Sequence, residues 1–144
     1  AAGARDARDL FARQYSPVVE AYLHARWHGA TGRAQVPDAL QEVFIECFRE
    51  GGALQNVEKG RAGGFRAFLA AVTRNVARRL EASEKRGRGG ASSTFALDEI
   101  ESDEESLRLV FDRAWAKQVV KEAARRHKQI ATRKGETGDF ARTA

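Results

Sequence analysis

The sequence predicts an all-α protein, a compact three-helix bundle plus a C-terminal helical extension. Two observations carry this. In each long segment, apolar residues recur at steps of three and four, the period of one face of a helix. Glycine-rich stretches, at 51–64 and 87–90, separate those segments.

The first segment, Ala4 to Tyr15, places Leu10, Phe11 and Tyr15 on one side. Ser16-Pro17 then reads as an N-cap followed by proline at the first helical position. A second apolar series follows through Val18, Val19, Tyr22, Leu23 and Trp27. The two form either one kinked helix or two abutting ones. Gly29 to Val36 reads as a loop. Pro37-Asp38 opens the next helix, PDALQEVFIECFRE, with Leu40, Val43, Phe44, Cys47 and Phe48 as its buried stripe.

The longest amphipathic run is FRAFLAAVTRNVARRLEASEKRGR, Phe65 to Arg88. Phe65, Phe68, Leu69, Val72, Val76 and Leu80 share a face, and the other faces are basic. Arg88 to Leu97 reads as a flexible linker. Asp98, Glu99, Glu101, Asp103, Glu104 and Glu105 form an acidic run. It suits the first turn of a last helix, whose dipole favours negative charge there. It also has the charge to fold against the basic helix and compete with a polyanion. Leu107, Val110, Phe111, Ala114, Trp115 and Val119 continue at helical spacing, and Gly135 to Ala144 is expected to fray. The organisation is therefore 1–88 as the main bundle, 89–106 as a flexible and acidic linker, and 107–144 as the extension.

Charge is unevenly distributed. The whole chain of 144 residues carries +5. The helix from Pro37 to Glu50 has four acids (Asp38, Glu42, Glu46, Glu50) against Arg49, a net −3. From Lys59 to Arg88 nine bases stand against Glu81 and Glu84, a net +7. A solvated face explains either pattern. A helix laid on nucleic acid explains the second more sharply, with arginines to phosphates and Asn75 to a base edge. A docking face for a basic protein explains the first.

Other classes are disfavoured. No apolar run is long enough to span a membrane, and Ala1 to Arg13 has no apolar core of a secretory signal. Cytosol is the expected compartment. Cys47 is the single cysteine, so no internal disulfide forms. His24 and His28 have metal-binding spacing but no third ligand near them, and no cofactor is expected. No GxxxxGK[ST] loop is present. Neither a nucleophile–base pair nor a convergent acid/base pair is visible, so no enzyme is expected.

Two motifs together carry a family resemblance. Asp38-Ala39-Leu40-Gln41-Glu42-Val43-Phe44 is followed, after a loop, by Phe65-Arg66-Ala67-Phe68-Leu69 with Arg74-Asn75 and a basic tail. This resembles the second conserved region of bacterial sigma factors of the extracytoplasmic-function type, over roughly Leu10 to Arg88. Phe111 to Trp115 (FDRAW) is similar to the segment that follows this region in some members. Ala39 departs from the larger apolar residue usual in the family, and Phe68 from the common tryptophan. The family's C-terminal helix-turn-helix domain has no counterpart in residues 107–144.

The resemblance implies a sigma region 2 bundle that binds core RNA polymerase and recognises and helps melt the minus-ten promoter element. It implies that Asp38, Gln41, Glu42, Phe44 and Ile45 dock on the coiled coil of the polymerase largest subunit. It implies promoter DNA contacts from Arg66, Arg74, Asn75, Arg78, Arg79, Lys85 and Arg86, with the loop Gln55 to Gly64 capturing an unstacked base. Phe65, Phe68, Val43 and Phe48 are expected in the core. An anti-sigma factor is a further implied partner, and no membrane is. The alternative reading is a sigma-like regulatory module that binds polymerase or an anti-sigma factor without promoter recognition.

Overall fold

In the computed structural model the described residues are 2–49, 64–87 and 103–142. They form five helices: α1 (Ala2–Arg26), α2 (Ala30–Ala34), α3 (Val36–Phe48), α4 (Gly64–Gly87) and α5 (Glu104–Arg142). No strand element occurs among them, so the all-α expectation holds. The expected base-capturing loop up to Gly63 and positions 89–102 of the linker expected at 89–106 lie outside the described residues, and Glu104 to Ser106 of that linker belong to α5.

Helix α1 runs unbroken through Pro17. Ser16 is therefore not an N-cap; its hydroxyl donates back to the Ala12 carbonyl. An internal proline costs a helix ~3 kcal/mol. The continuous axis is kept because apolar residues on both sides of it face one core. Phe11 and Tyr15 pack there from upstream, and Val18, Val19, Tyr22 and Leu23 are buried downstream.

Residues 29–36, expected as a loop, hold the five-residue α2 and the first residue of α3. Arg33 N–H donates to Gly29 O at 2.9 Å and Gln35 N–H to Gly32 O at 3.0 Å, so the connection satisfies its own backbone groups. Pro37 stands in the first turn of α3, where a missing N–H leaves no bond unmade. Val36, Ala39, Val43 and Cys47 are fully covered; Leu40 and Phe48 pack at the edge.

Helix α4 follows its expected span. Its first residue, Gly64, has φ +59°, and a Cβ there would meet nothing within 4 Å. Glycine is thus required for backbone conformation, not for space. Phe68, Leu69, Val72, Val76 and Ala77 fill the core, together with Thr73, whose hydroxyl donates to Leu69 O at 2.8 Å.

Helix α5 starts where the acids are. Asp103 caps it: Oδ1 accepts from Glu105 N–H at 3.1 Å and Oδ2 from the Ser106 hydroxyl at 2.6 Å. Its partners on α1 run in reverse order: Glu104 meets Arg26, Phe111 meets Tyr22, and Trp115 stacks on Tyr15 at 5.3 Å. The two helices are antiparallel neighbours. Leu107 and Phe111 lie inside the same core as α1, α3 and α4. The fraying expected from Gly135 is not seen, since the helix continues to Arg142. Once nucleated, a helix rich in Lys, Arg, Ala and Gln propagates through a single glycine at a cost of ~1 kcal/mol.

Because Phe111 is fully buried, Phe111→Ala is expected to lower unfolding free energy by ~3–5 kcal/mol in urea melts. Leu109→Ala, on the exposed side of the same turn, is expected to change it by less than ~0.5 kcal/mol. Equal effects would remove α5 from the core.

Candidate functional site

One buried ion pair fixes the geometry. Arg26, 5% exposed, lies at the end of α1 among apolar residues. Its Nε and Nη2 donate to the two carboxylate oxygens of Glu81 on α4, at 2.5 and 3.0 Å. Trp27 Nε1 donates to the same carboxylate at 3.1 Å. The third nitrogen, Nη1, donates to Tyr22 Oη at 3.2 Å and to Glu104 of α5 at 3.4 Å. Burial works against the guanidinium charge, but the bonds and charge of Glu81 outweigh it, so Arg26 is held above its ordinary range. Periodicity reads apolar faces, and neither Arg26 nor Glu81 was legible that way. The available signal was position: Arg26 stands four residues after Tyr22, one turn along the buried face.

Helix α3 turns Asp38, Gln41 and Ile45 to solvent, with Glu42 beside them partly covered. Ile45 is 51% exposed. Phe44 is different: it is half-buried, edge-on to Phe11 at 5.9 Å. Gln41, Phe44 and Ile45, with Arg8, Phe48 and Arg49, line a shallow depression of about 400 Å³. Arg8 sits over the Phe48 ring at 5.6 Å.

On α4, Arg74, Asn75, Arg78 and Arg79 form an exposed crest opposite the core face, and Arg66 is exposed a few turns earlier. Of Lys85 and Arg86 only the helical backbone lies within the described residues. The crest is flanked by acids on both sides. Arg79 reaches Glu42 at 3.5 Å and Glu46 at 4.0 Å on α3. Arg78 meets Glu104 at 3.0 Å, and Arg66 meets Asp112 at 3.4 Å, both on α5. Glu104, though partly desolvated, is held below the usual carboxylate range by its bonds and charge partners Arg78 and Arg26. The acidic start of α5 thus lies against the basic helix; Asp98, Glu99 and Glu101 lie outside the described residues. Between α4 and α5 runs a groove of about 600 Å³, with Arg66, Arg74 and Arg108 facing Glu104, Glu105 and Asp112 over a floor of Ala67, Ala70 and Ala71.

Cys47 is buried, and desolvation together with the nearby Glu46 charge pushes its thiol up to about 11, so it stays protonated at neutral pH. His24 and His28 are exposed, and no group of three metal-ligating side chains occurs among the described residues. No described helix is long and apolar enough to cross a membrane.

Removing one partner of a buried pair leaves the other charge uncompensated. Glu81→Ala is therefore expected to cost ~3–5 kcal/mol in chemical denaturation. The double variant Arg26→Met/Glu81→Leu is expected to recover most of that loss, because an apolar pair of similar volume carries no desolvation penalty. Additive losses in the double variant would argue against the pair as a coupled unit. In comparisons with known proteins, no family model, no curated protein and no solved structure matches this chain.

Proposed function

We propose that this chain is a sigma region 2-type module that docks on core RNA polymerase through α3 and on promoter DNA through α4. The observation that carries the reading is a division of exposure. Of the residues that the resemblance assigns to partners, Asp38, Gln41, Ile45, Arg66, Arg74, Asn75, Arg78 and Arg79 face solvent, and Glu42 and Phe44 are partly covered. Residues it assigns to the interior behave oppositely: Val43 and Phe68 are buried, and Phe48 and Phe65 pack against the core. An exposed isoleucine at the centre of an acidic face supports protein docking, since apolar anchors within a polar rim are the usual anatomy of an interface. Such a module works in the cytoplasm, and an anti-sigma factor would compete for the same faces.

The carboxylates beside the arginines do not bar this role. Exposed ion pairs such as Arg78–Glu104 and Arg79–Glu42 are worth ~0–1 kcal/mol. Phosphate contacts, which also release counterions, replace them readily. The same pairs favour a second reading, a sigma-like regulator that binds polymerase or an anti-sigma factor without promoter DNA.

Two measurements separate these. Replacing Gln41 by Ala and Glu42 by Arg is expected to weaken core-polymerase binding with the circular dichroism signal intact. Unchanged binding would remove the α3 assignment. With core enzyme present, Arg78→Ala/Arg79→Ala is expected to flatten the salt dependence of binding to single-stranded minus-ten DNA by ~1.4 in log K against log salt, at ~0.7 per contact. Asn75→Ala is expected to cost ~1–3 kcal/mol on the preferred sequence and little on a scrambled one. An unaltered slope would leave the regulatory reading.

A further inference from the structure

Past Trp115, helix α5 leaves the aromatic cluster, and from Ala123 to Glu136 every residue is exposed. Between Lys117 and Lys134 the sequence has seven bases and one acid, a net charge of +6. That acid, Glu122, is already engaged: it accepts from Arg125 Nη2 at 2.8 Å and Nε at 3.1 Å, and from Arg126 Nε at 3.3 Å. No carboxylate among the described residues pairs with Lys117, Lys121 or Lys128. With Arg125 these lysines stand at i, i+4, i+8 and i+11. At 100° per residue they fall within a sector of about 80° and form a stripe ~16 Å long.

We propose that this stripe, Lys117, Lys121, Arg125 and Lys128, is a separate nucleic-acid surface that binds the phosphate backbone of a double helix without reading its sequence. It does not depend on the roles given to α3 and α4. Three features select a duplex over other polyanions or partners. A helix lying in a membrane interface presents Trp, Phe or Leu opposite its basic face. Here the opposite side carries Arg126, Arg133 and Lys134 beside Val119 and Ile130, and residues 116–136 contain no Trp, Phe or Leu. A self-associating coiled coil needs apolar a and d positions. The best heptad frame, with Ala116, Ala123 and Ile130 at d, puts Val120, His127 and Lys134 at a, so the seam holds two alanines, a histidine and a lysine beside only two branched apolar residues. Single strands are held by stacking on aromatic side chains as well as by charge, and no Phe, Tyr or Trp lies along this stretch. A row of cations with no stacking platform fits a duplex backbone, where binding rests on counterion release.

The test uses the full chain and its Lys117→Gln/Lys121→Gln/Lys128→Gln variant, both checked by circular dichroism. All three positions are exposed, so the fold should be kept. Binding to a short random-sequence DNA duplex is followed by fluorescence anisotropy across a salt series. The matching RNA duplex, a single strand and phosphatidylserine vesicles serve as further probes. Wild type is expected to bind the duplexes more tightly than the single strand or the vesicles. The triple variant is expected to flatten the duplex salt slope by ~2.7, at ~0.9 per contact. The relative affinity for the two duplexes assigns the stripe to DNA or RNA. An unchanged slope in the triple variant would overturn the proposal. So would vesicle or single-strand binding that exceeds duplex binding in wild type.

Discussion

The buried Arg26–Glu81 pair is the constraint on which the arrangement of helices depends. Its two ends sit on α1 and α4, and its remaining donor reaches α5 through Glu104. An apolar stripe sets which side of each helix faces the core, and a polar contact across helices adds a more exacting geometry. A bidentate guanidinium–carboxylate contact has one good geometry, and the Trp27 indole on the same carboxylate narrows it further. Such a pair adds little net stability. What it supplies here is a fixed contact between α1 and the flank of α4: Glu81 lies at the edge of the face that buries Val72, Val76 and Ala77, and Arg74, Asn75, Arg78 and Arg79 stay exposed.

The aromatic cluster plays the complementary role at the other end. Phe11, Tyr15, Phe48, Phe65 and Trp115 come from four helices, with ring centroids between 4.8 and 6.0 Å apart. Tilted and edge-on contacts of this kind add ~0.5–1.5 kcal/mol each beyond area burial. The bundle is therefore clamped by apolar rings near the start of α4 and by a polar hub near its end. Between them α4 offers Ala67, Ala70 and Ala71 to the space beside α5, with Arg66 and Arg74 along its walls, and a groove opens there.

What the sequence made legible follows from what periodicity measures. The stripes of α3 and α4 were readable because Val43, Cys47, Phe68, Leu69, Val72 and Val76 repeat at helical spacing, and burial follows that spacing. Ser16-Pro17 misled because its local chemistry is that of a helix start, while packing of Phe11 and Tyr15 with the residues after Pro17 made continuity cheaper than a break. The α2 turn was missed because Ala-Thr-Gly-Arg-Ala has weak helical propensity and no apolar face. The candidate site residues were named from charge excess and motif resemblance, which point to exposed faces of α3 and α4. Pairing across helices (Arg66 with Asp112, Arg78 with Glu104, Arg79 with Glu42) is a tertiary property that composition along one helix does not encode.

The lone thiol has an experimental consequence of its own. Cys47 is shielded on α3, and burial and a neighbouring carboxylate suppress its ionisation. A thiol reagent then reacts only in molecules where α3 has come away from its neighbours, because the thiolate and not the thiol is the nucleophile. The chain therefore carries a built-in clock: the pace of alkylation, compared with that of the unfolded chain, counts how often this helix detaches locally. A ligand that grips the outer face of α3 would slow that clock without touching the sulfur.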